Sequence, residues 1–235
     1  MENIIDKSNK DNNSTDNKTD ILCIGMALVD SIIKGFNPEP VSASGFTAVS
    51  GTLNVGGEAV NEAVAAAKTQ RIPENMQSRQ YYEDCYIAGT VDYIFGWATA
   101  YFNRCELHCL GNGYVTAAAT PQGQTYGYVF NECHITAEPG VQTYLGRPWR
   151  HYAQTVFVNC TMDECVRPQG WQTWPNKETG ADGSATAFYA EYNSKGAGAQ
   201  PKQRVAWSKQ LTSNMVERFT AAEVLKGYDN WNPVK

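Results

Sequence analysis

The segment Ile87–Gly96, IAGTVDYIFG, is mostly apolar and carries one ionisable carboxylate, Asp92, near its middle. Read by its hydrophobicity it is a buried strand. A lone carboxylate is costly to take out of water, so Asp92 needs a cation close by. It marks either a structural ion pair or a reactive group. Other candidates for chemistry are poorer. His108, His134 and His151 show neither metal-ligand spacing nor a Ser/His/Asp order, and read as structural. The seven cysteines form no CxxC pair, and their odd number argues against a complete disulfide framework. They read as reduced thiols packed as small hydrophobes.

The elements that must position Asp92 come in two textures. The chain has 235 residues, 42% hydrophobic and 18% charged, enough for one large core or two small ones. A net charge of -5 argues against nucleic acid as a partner. No apolar run approaches the ~20 residues that span a bilayer, so no membrane is expected. Residues 1–20 are polar, read as a disordered tail and lack the apolar region of a secretory signal, so the chain reads as cytoplasmic as written. ILCIGMALVDSIIKGF (21–36) predicts a buried strand and its continuation. LNVGGEAVNEAVAAAKTQ (53–70) predicts a Gly-Gly turn and a helix whose apolar face is Ala59, Val60, Ala63, Val64 and Ala67. Residues 21–70 thus read as a short α/β fragment.

After Pro73, aromatics, Gly, Thr and Asn dominate, and helical patterns are absent until TAAEVLKGY (220–228). Four segments share a polar residue, a cysteine and then an alternation: EDCYIAG, NRCELHC, NECHITAE and VNCTMDE. Cys85, Cys105, Cys133 and Cys160 are 20, 28 and 27 residues apart. A strand recurring at that period suggests stacked coils of a solenoid with an interior cysteine ladder. An antiparallel sandwich with chance spacing fits the periodicity alone equally well.

CYIAGTVDYIFGWATAYFNRCEL and YLGRPWRHYAQTVFVNCTM closely resemble two signatures of the pectin methylesterase (pectinesterase) family. VRPQGWQTW and FYAEYNSKGAGAQPKQRVAWSKQL resemble its later motifs, in the right order, and the likeness runs from about Ser78 to Trp231. The resemblance implies an all-β fold, a right-handed parallel β-helix of the pectin-lyase-like kind, over residues 71–235. It implies hydrolysis of methyl esters on polygalacturonate, with Asp92 as nucleophile and Arg147 of LGRPW as its partner. A guanidinium fork can hold a carboxylate through two charge-assisted hydrogen bonds, and Pro148 stiffens the backbone beside it. Trp149 is implied as a sugar platform, Val91 and Phe95 as the lining of the methyl-ester pocket, and Trp171 and Trp174 as residues beside the cleft. Alternation would put Val91 and Asp92 on opposite faces of a strand, so a bend is expected there. No metal or organic cofactor is implied. The expected partner is the polysaccharide, the expected state a monomer, and the family is usually extracellular.

The sequence departs from the family at a second carboxylate, which lies in a Gln-Asp pair upstream and serves as general acid and then base. Counted back from Asp92 without gaps, that pair falls on Gln70 and Arg71. The glutamine is a candidate substrate contact, but arginine cannot shuttle protons near neutral pH. Upstream, DILCIGMALVDSII and NVGGEAVNEAVAAAK resemble the start of ribokinase-like sugar kinases, in which Asp30, Gly56, Gly57 and Asn61 would contact a sugar. That family's later DTxGAGD motif does not occur. The chain therefore reads as the head of one protein joined near residue 70 to the tail of another, with a β-helix short of its first coils and open to association at that end. Weak or absent esterase activity is expected. The alternatives are a carbohydrate-binding β-helix without turnover and, further off, a kinase fragment that would need to phosphorylate a sugar with ATP.

Overall fold

The computed structural model describes residues 79–175, 180 and 182–234, and before them the backbone of four strands. Those are β1 (Ile21–Ile24), β2 (Asp30–Lys34), β3 (Gly45–Ala48) and β4 (Ser50–Asn54). The expected tail 1–20, the helix 58–68 and Gln70 lie outside the described residues, as do Gly56, Gly57 and Asn61.

From Arg79 the chain winds in coils of three short strands. The first described coil is β5 (Arg79–Glu83), β6 (Tyr86–Gly89) and β7 (Ile94–Gly96). The second is β8 (Thr99–Asn103), β9 (Glu106–Cys109) and β10 (Gly113–Ala118). The third is β11 (Tyr128–Asn131), β12 (His134–Ala137) and β13 (Thr143–Gly146). Then come β14 (Gln154–Val158) and β15 (Thr161–Met162), and after them β16 (Phe188–Tyr192) and β17 (Lys209–Gln210). Each strand pairs in parallel with its equivalent one coil away, as β5–β8–β11–β14–β16, β6–β9–β12–β15 and β7–β10–β13. This is a right-handed parallel β-helix, not an antiparallel sandwich.

The Cys motif now has a geometric cause. Between the first and second strands of successive coils stand Asp84, Arg104, Glu132, Asn159 and Asn193, each left-handed with φ between 52° and 54°. That residue turns the corner, and the next side chain points inward. Cys85, Cys105, Cys133 and Cys160 follow four of these corners, and all are buried free thiols. Beside them Tyr82, Phe102, Phe130 and Phe157 stack coil on coil with ring centroids 4.7, 4.5 and 4.5 Å apart. One strand residue outward of that stack, Tyr81, Tyr101, Val129 and Val156 form a second apolar layer. It is covered by a helical segment that supplies Phe219, Val224 and Leu225. With both faces buried, β8 shows no inside–outside alternation of polarity. The TAAEVLKGY segment forms the expected helix, Ala221–Leu225, and Thr220 caps it by accepting from the Glu223 N–H.

Two expectations need correction. The apolar run 21–36 is not one strand: β1 and β2 within it pair antiparallel. IAGTVDYIFG is not one strand either, because β6 ends at Gly89 and β7 begins at Ile94. The β-helix sheets also continue before β5: β4 pairs in parallel with β6, and β3 with β5.

Candidate active site

Asp92 occupies the corner between β6 and β7. Its φ is 54°, so it is left-handed like the periodic corner residues, but it sits at the other corner of the coil. Aspartate tolerates this conformation better than most residues. The corner is pinned from several sides. The Asp92 N–H donates to the Tyr114 carbonyl on the next coil (2.8 Å). Tyr93 turns inward, is buried, and sets its hydroxyl 3.5 Å from Cys109 Sγ. Gly89 makes room for it, since a Cβ there would overlap the Tyr93 side chain. Burial pushes the Tyr93 phenol and the Cys109 thiol up, and the Cys165 thiol up to about 12, so the floor beneath the corner stays uncharged. Val91 turns outward and is exposed. The bend expected between Val91 and Asp92 is this left-handed corner.

Arg147 directly follows β13, two coils on from Asp92. Its N–H donates to the Thr116 carbonyl (3.0 Å). At the preceding Gly146 the two coils approach so closely that a Cβ would overlap the Thr116 hydroxyl and carbonyl. The side chain then reaches back over β10. Arg147 Nε donates to Asp92 Oδ1 (3.0 Å) and Nη2 to Oδ2 (2.5 Å), a side-on fork. The two side chains are 21% and 18% exposed, so the pair is partly desolvated yet open to a ligand on one side. Asp92 is therefore half-buried at a corner, not enclosed in a strand.

Aromatic rings surround the fork. The Arg147 Cζ lies 4.0 Å from the ring centroid of Tyr114 and 3.8 Å from that of Trp174. Trp149 stacks near Trp174, with centroids 6.4 Å apart, and meets Phe95 edge-on at 6.1 Å. Arg150 lies over the Trp149 ring at 4.7 Å. Half-buried Phe95, Trp149 and Trp174 thus form one apolar wall beside the carboxylate. Such a wall suits the apolar part of a ligand brought up to the carboxylate.

Of the residues singled out from sequence, Asp92, Arg147, Phe95, Trp149 and Trp174 meet here, and Val91 stands at the rim. Trp171 does not: it is 1% exposed and packs against Phe157 and Tyr189 in the core. Its place after a Gly at a strand-like bridge to Gly146 turns it inward. Two of the histidines make side-chain hydrogen bonds to other residues of the coils, and the third, His151, is exposed. His108 Nδ1 is hydrogen-bonded with the Thr136 hydroxyl, and His134 Nε2 with Asp163. The His151 carbonyl accepts from Thr186. Sequence reading missed Tyr114 and Gln172, which are hydrogen-bonded to each other through the Tyr114 hydroxyl. The signal that finds Tyr114 is register: it pairs with Tyr144 one coil on, and the rings stack at 5.4 Å.

The family model described as Pectinesterase matches residues 70–228. A probable pectinesterase A of Aspergillus fumigatus is 45% identical over 66% of this chain and 45% of its own length. Pectinesterase 31 of Arabidopsis thaliana is 38% identical over 60% of this chain and 44% of its own. Among solved structures, the pectin methylesterase from carrot covers 66% of this chain and 52% of that one, with 32% identity and a TM-score of 0.58. A pectin methylesterase in complex with a hexasaccharide covers 67% and 53%, with 32% identity and a TM-score of 0.56. The chain spans less than half the length of these curated relatives.

Proposed function

The chain belongs to the pectinesterase family, and from that premise we propose that it is a carboxylic ester hydrolase acting on methyl-esterified polygalacturonate, with Asp92 as nucleophile. The observation that carries this reading is the side-on fork between Arg147 and Asp92. The fork aims a carboxylate oxygen from a half-buried corner beside an apolar wall. Asp92 attacks the ester carbonyl carbon, the C–O bond to the methoxy group breaks, and the methoxide takes a proton from solvent water and leaves as methanol. The resulting acyl-Asp92 anhydride is opened by water, which gives the uronate carboxylate and restores Asp92. Arg147 would hold the attacking carboxylate and face the charge that redistributes as it is acylated. Phe95, Trp149 and Val91 would take the ester methyl and the sugar face.

The departing methoxide needs a proton donor, and counted back from Asp92 without gaps the family's position for it falls on Arg71. General acid–base catalysis is worth about 10²–10⁴-fold, so turnover well below that of the relatives is expected. The test is methanol release from methylated pectin by the wild type and by Asp92→Asn. Asparagine keeps the shape and tolerates the left-handed corner, so the substitution removes the nucleophile with little backbone cost. Release that is lost in the variant supports the reading. Release that is unchanged removes Asp92 from the mechanism.

Arg71 also favours a second reading, a β-helix that binds the polymer without turnover. Retention on a polygalacturonate gel, weakened by Trp149→Ala, with no methanol released from pectin, is its signature. The absence of retention on any uronide polymer discards it.

A further inference from the structure

Arg147 sits in the middle of a stack. Arg167 lies 5.4 Å from the Tyr144 ring, Tyr144 stacks on Tyr114 at 5.4 Å, and Arg147 fills the gap between Tyr114 and Trp174. The Tyr114 hydroxyl donates to Gln172 Oε1, two residues before Trp174, so one hydrogen bond ties the two jaws together. The guanidinium carbon thus lies over two rings, 4.0 Å from one centroid and 3.8 Å from the other, while its Nε–Nη2 edge meets Asp92.

This arrangement matters because the ion pair is temporary in the reaction proposed above. When Asp92 becomes an acyl anhydride it loses its negative charge, and the fork loses its ionic partner. A flexible arginine held by that charge alone would be released in the middle of the cycle. Ring faces attract a cation by their quadrupole, which acylation of Asp92 does not change.

We propose that Tyr114 and Trp174 are positioning residues: they clamp the Arg147 guanidinium in its plane independently of the charge on Asp92. The clamp keeps Arg147 in place through the acylated stage, so that it serves both halves of the reaction. The proposal rests on the esterase reading for its purpose, but not for its test.

The test uses the full chain and reads the arginine directly. In ¹⁵N spectra a clamped guanidinium shows slow rotation and separate Nη signals, whereas a free one averages them. Asp92→Asn mimics the uncharged partner. Separate Arg147 Nη signals are expected to persist in Asp92→Asn and to merge in Asp92→Asn/Tyr114→Leu. Tyr114→Phe, which keeps the ring, is expected to preserve them in either background. Trp174→Leu lies outside the strands and provides a second arm should Tyr114→Leu fail to fold. Merging in Asp92→Asn alone would show that the charge holds the arginine, and would overturn the clamp. Separate signals retained in both leucine double variants would overturn it equally. If methanol release is measurable, Tyr114→Leu in the wild-type background should lower kcat on the order of tenfold to a hundredfold with little change in KM. A protein that shows the clamp but releases no methanol refutes the esterase reading and leaves the clamp standing.

Discussion

Arg147 makes two kinds of contact that a lysine cannot reproduce: the side-on pair of hydrogen bonds to Asp92, and a flat cation against two rings. An ammonium keeps the charge but offers no planar fork, and it is hydrated more strongly than a guanidinium. Arg147→Lys is therefore expected to fold as the wild type does and, on the proposed mechanism, to lose on the order of a hundredfold in kcat, because Asp92 is no longer aimed. Matching far-ultraviolet circular dichroism with methanol release within a few fold of wild type would contradict this. Asp92, Arg147, Phe95 and Trp149 are legible in the sequence because each lies inside a contiguous motif. Tyr114 and Gln172 are not, because what makes them matter is a contact 58 residues apart. The backbone at Asp92 was also hidden. A left-handed aspartate has the same letters around it as an extended one, so apolar flanks read as a continuous strand although the chain turns there.

Each coil is held by corners and by the columns those corners make possible. The recurring polar-Cys pair was legible because the left-handed residue and the inward thiol occupy fixed positions in every coil. Its unequal spacing follows from the third side of the coil. β7 leads almost directly into β8, whereas a nine-residue connection (119–127) separates β10 from β11. Inside, the Phe102–Phe130–Phe157 column is fully buried, with each ring supported on both sides. Removing the middle ring leaves a cavity that coils fixed by parallel hydrogen bonds cannot collapse. Phe130→Ala should lower the unfolding free energy by about 3–5 kcal/mol. Phe130→Leu should lower it much less, since most of the apolar volume stays. Urea denaturation of the two variants measures the difference, and equal midpoints would mean that the column adds no packing of its own. The outer layer was harder to foresee. TAYFN reads as an ordinary apolar strand, and nothing in it announces that Tyr101 faces a covering helix while Phe102 faces the core.

The covering segment closes the molecule along its length. After the helix at Ala221–Leu225 the chain reaches back to β5 of the first described coil, where Arg79 is almost fully buried. Arg79 Nη1 donates to the Leu225 carbonyl (2.5 Å) and Nη2 to Asp229 (2.7 Å), with the rings of Tyr228 and Trp231 nearby. These groups are some 150 residues apart in sequence, so no local pattern could pair them. A second buried pair, Arg204 with Glu191, ties the loop after β16 to the same body, and Arg204 also donates to the carbonyls of Pro168 and Gly198. The two ties differ in access: the Arg204–Glu191 side chains are each 2% exposed, whereas Asp229 is 24% exposed and open to protons. The hydrogen bond from Arg79 holds the Asp229 carboxyl below its usual range. A carboxyl lowered on folding adds stability that is fully present above its unfolded value of about 3.9 and is lost as pH falls through the lower folded value. Acidification below about pH 4 should therefore loosen residues 226–234 before the coils unfold, seen as faster amide exchange in that segment than intrinsic chemistry predicts. Asp229→Asn should show looser exchange there already at neutral pH and no further acid step. A tail whose protection is the same in both proteins at both pH values would mean that the Leu225 carbonyl and the rings hold it without the ion pair.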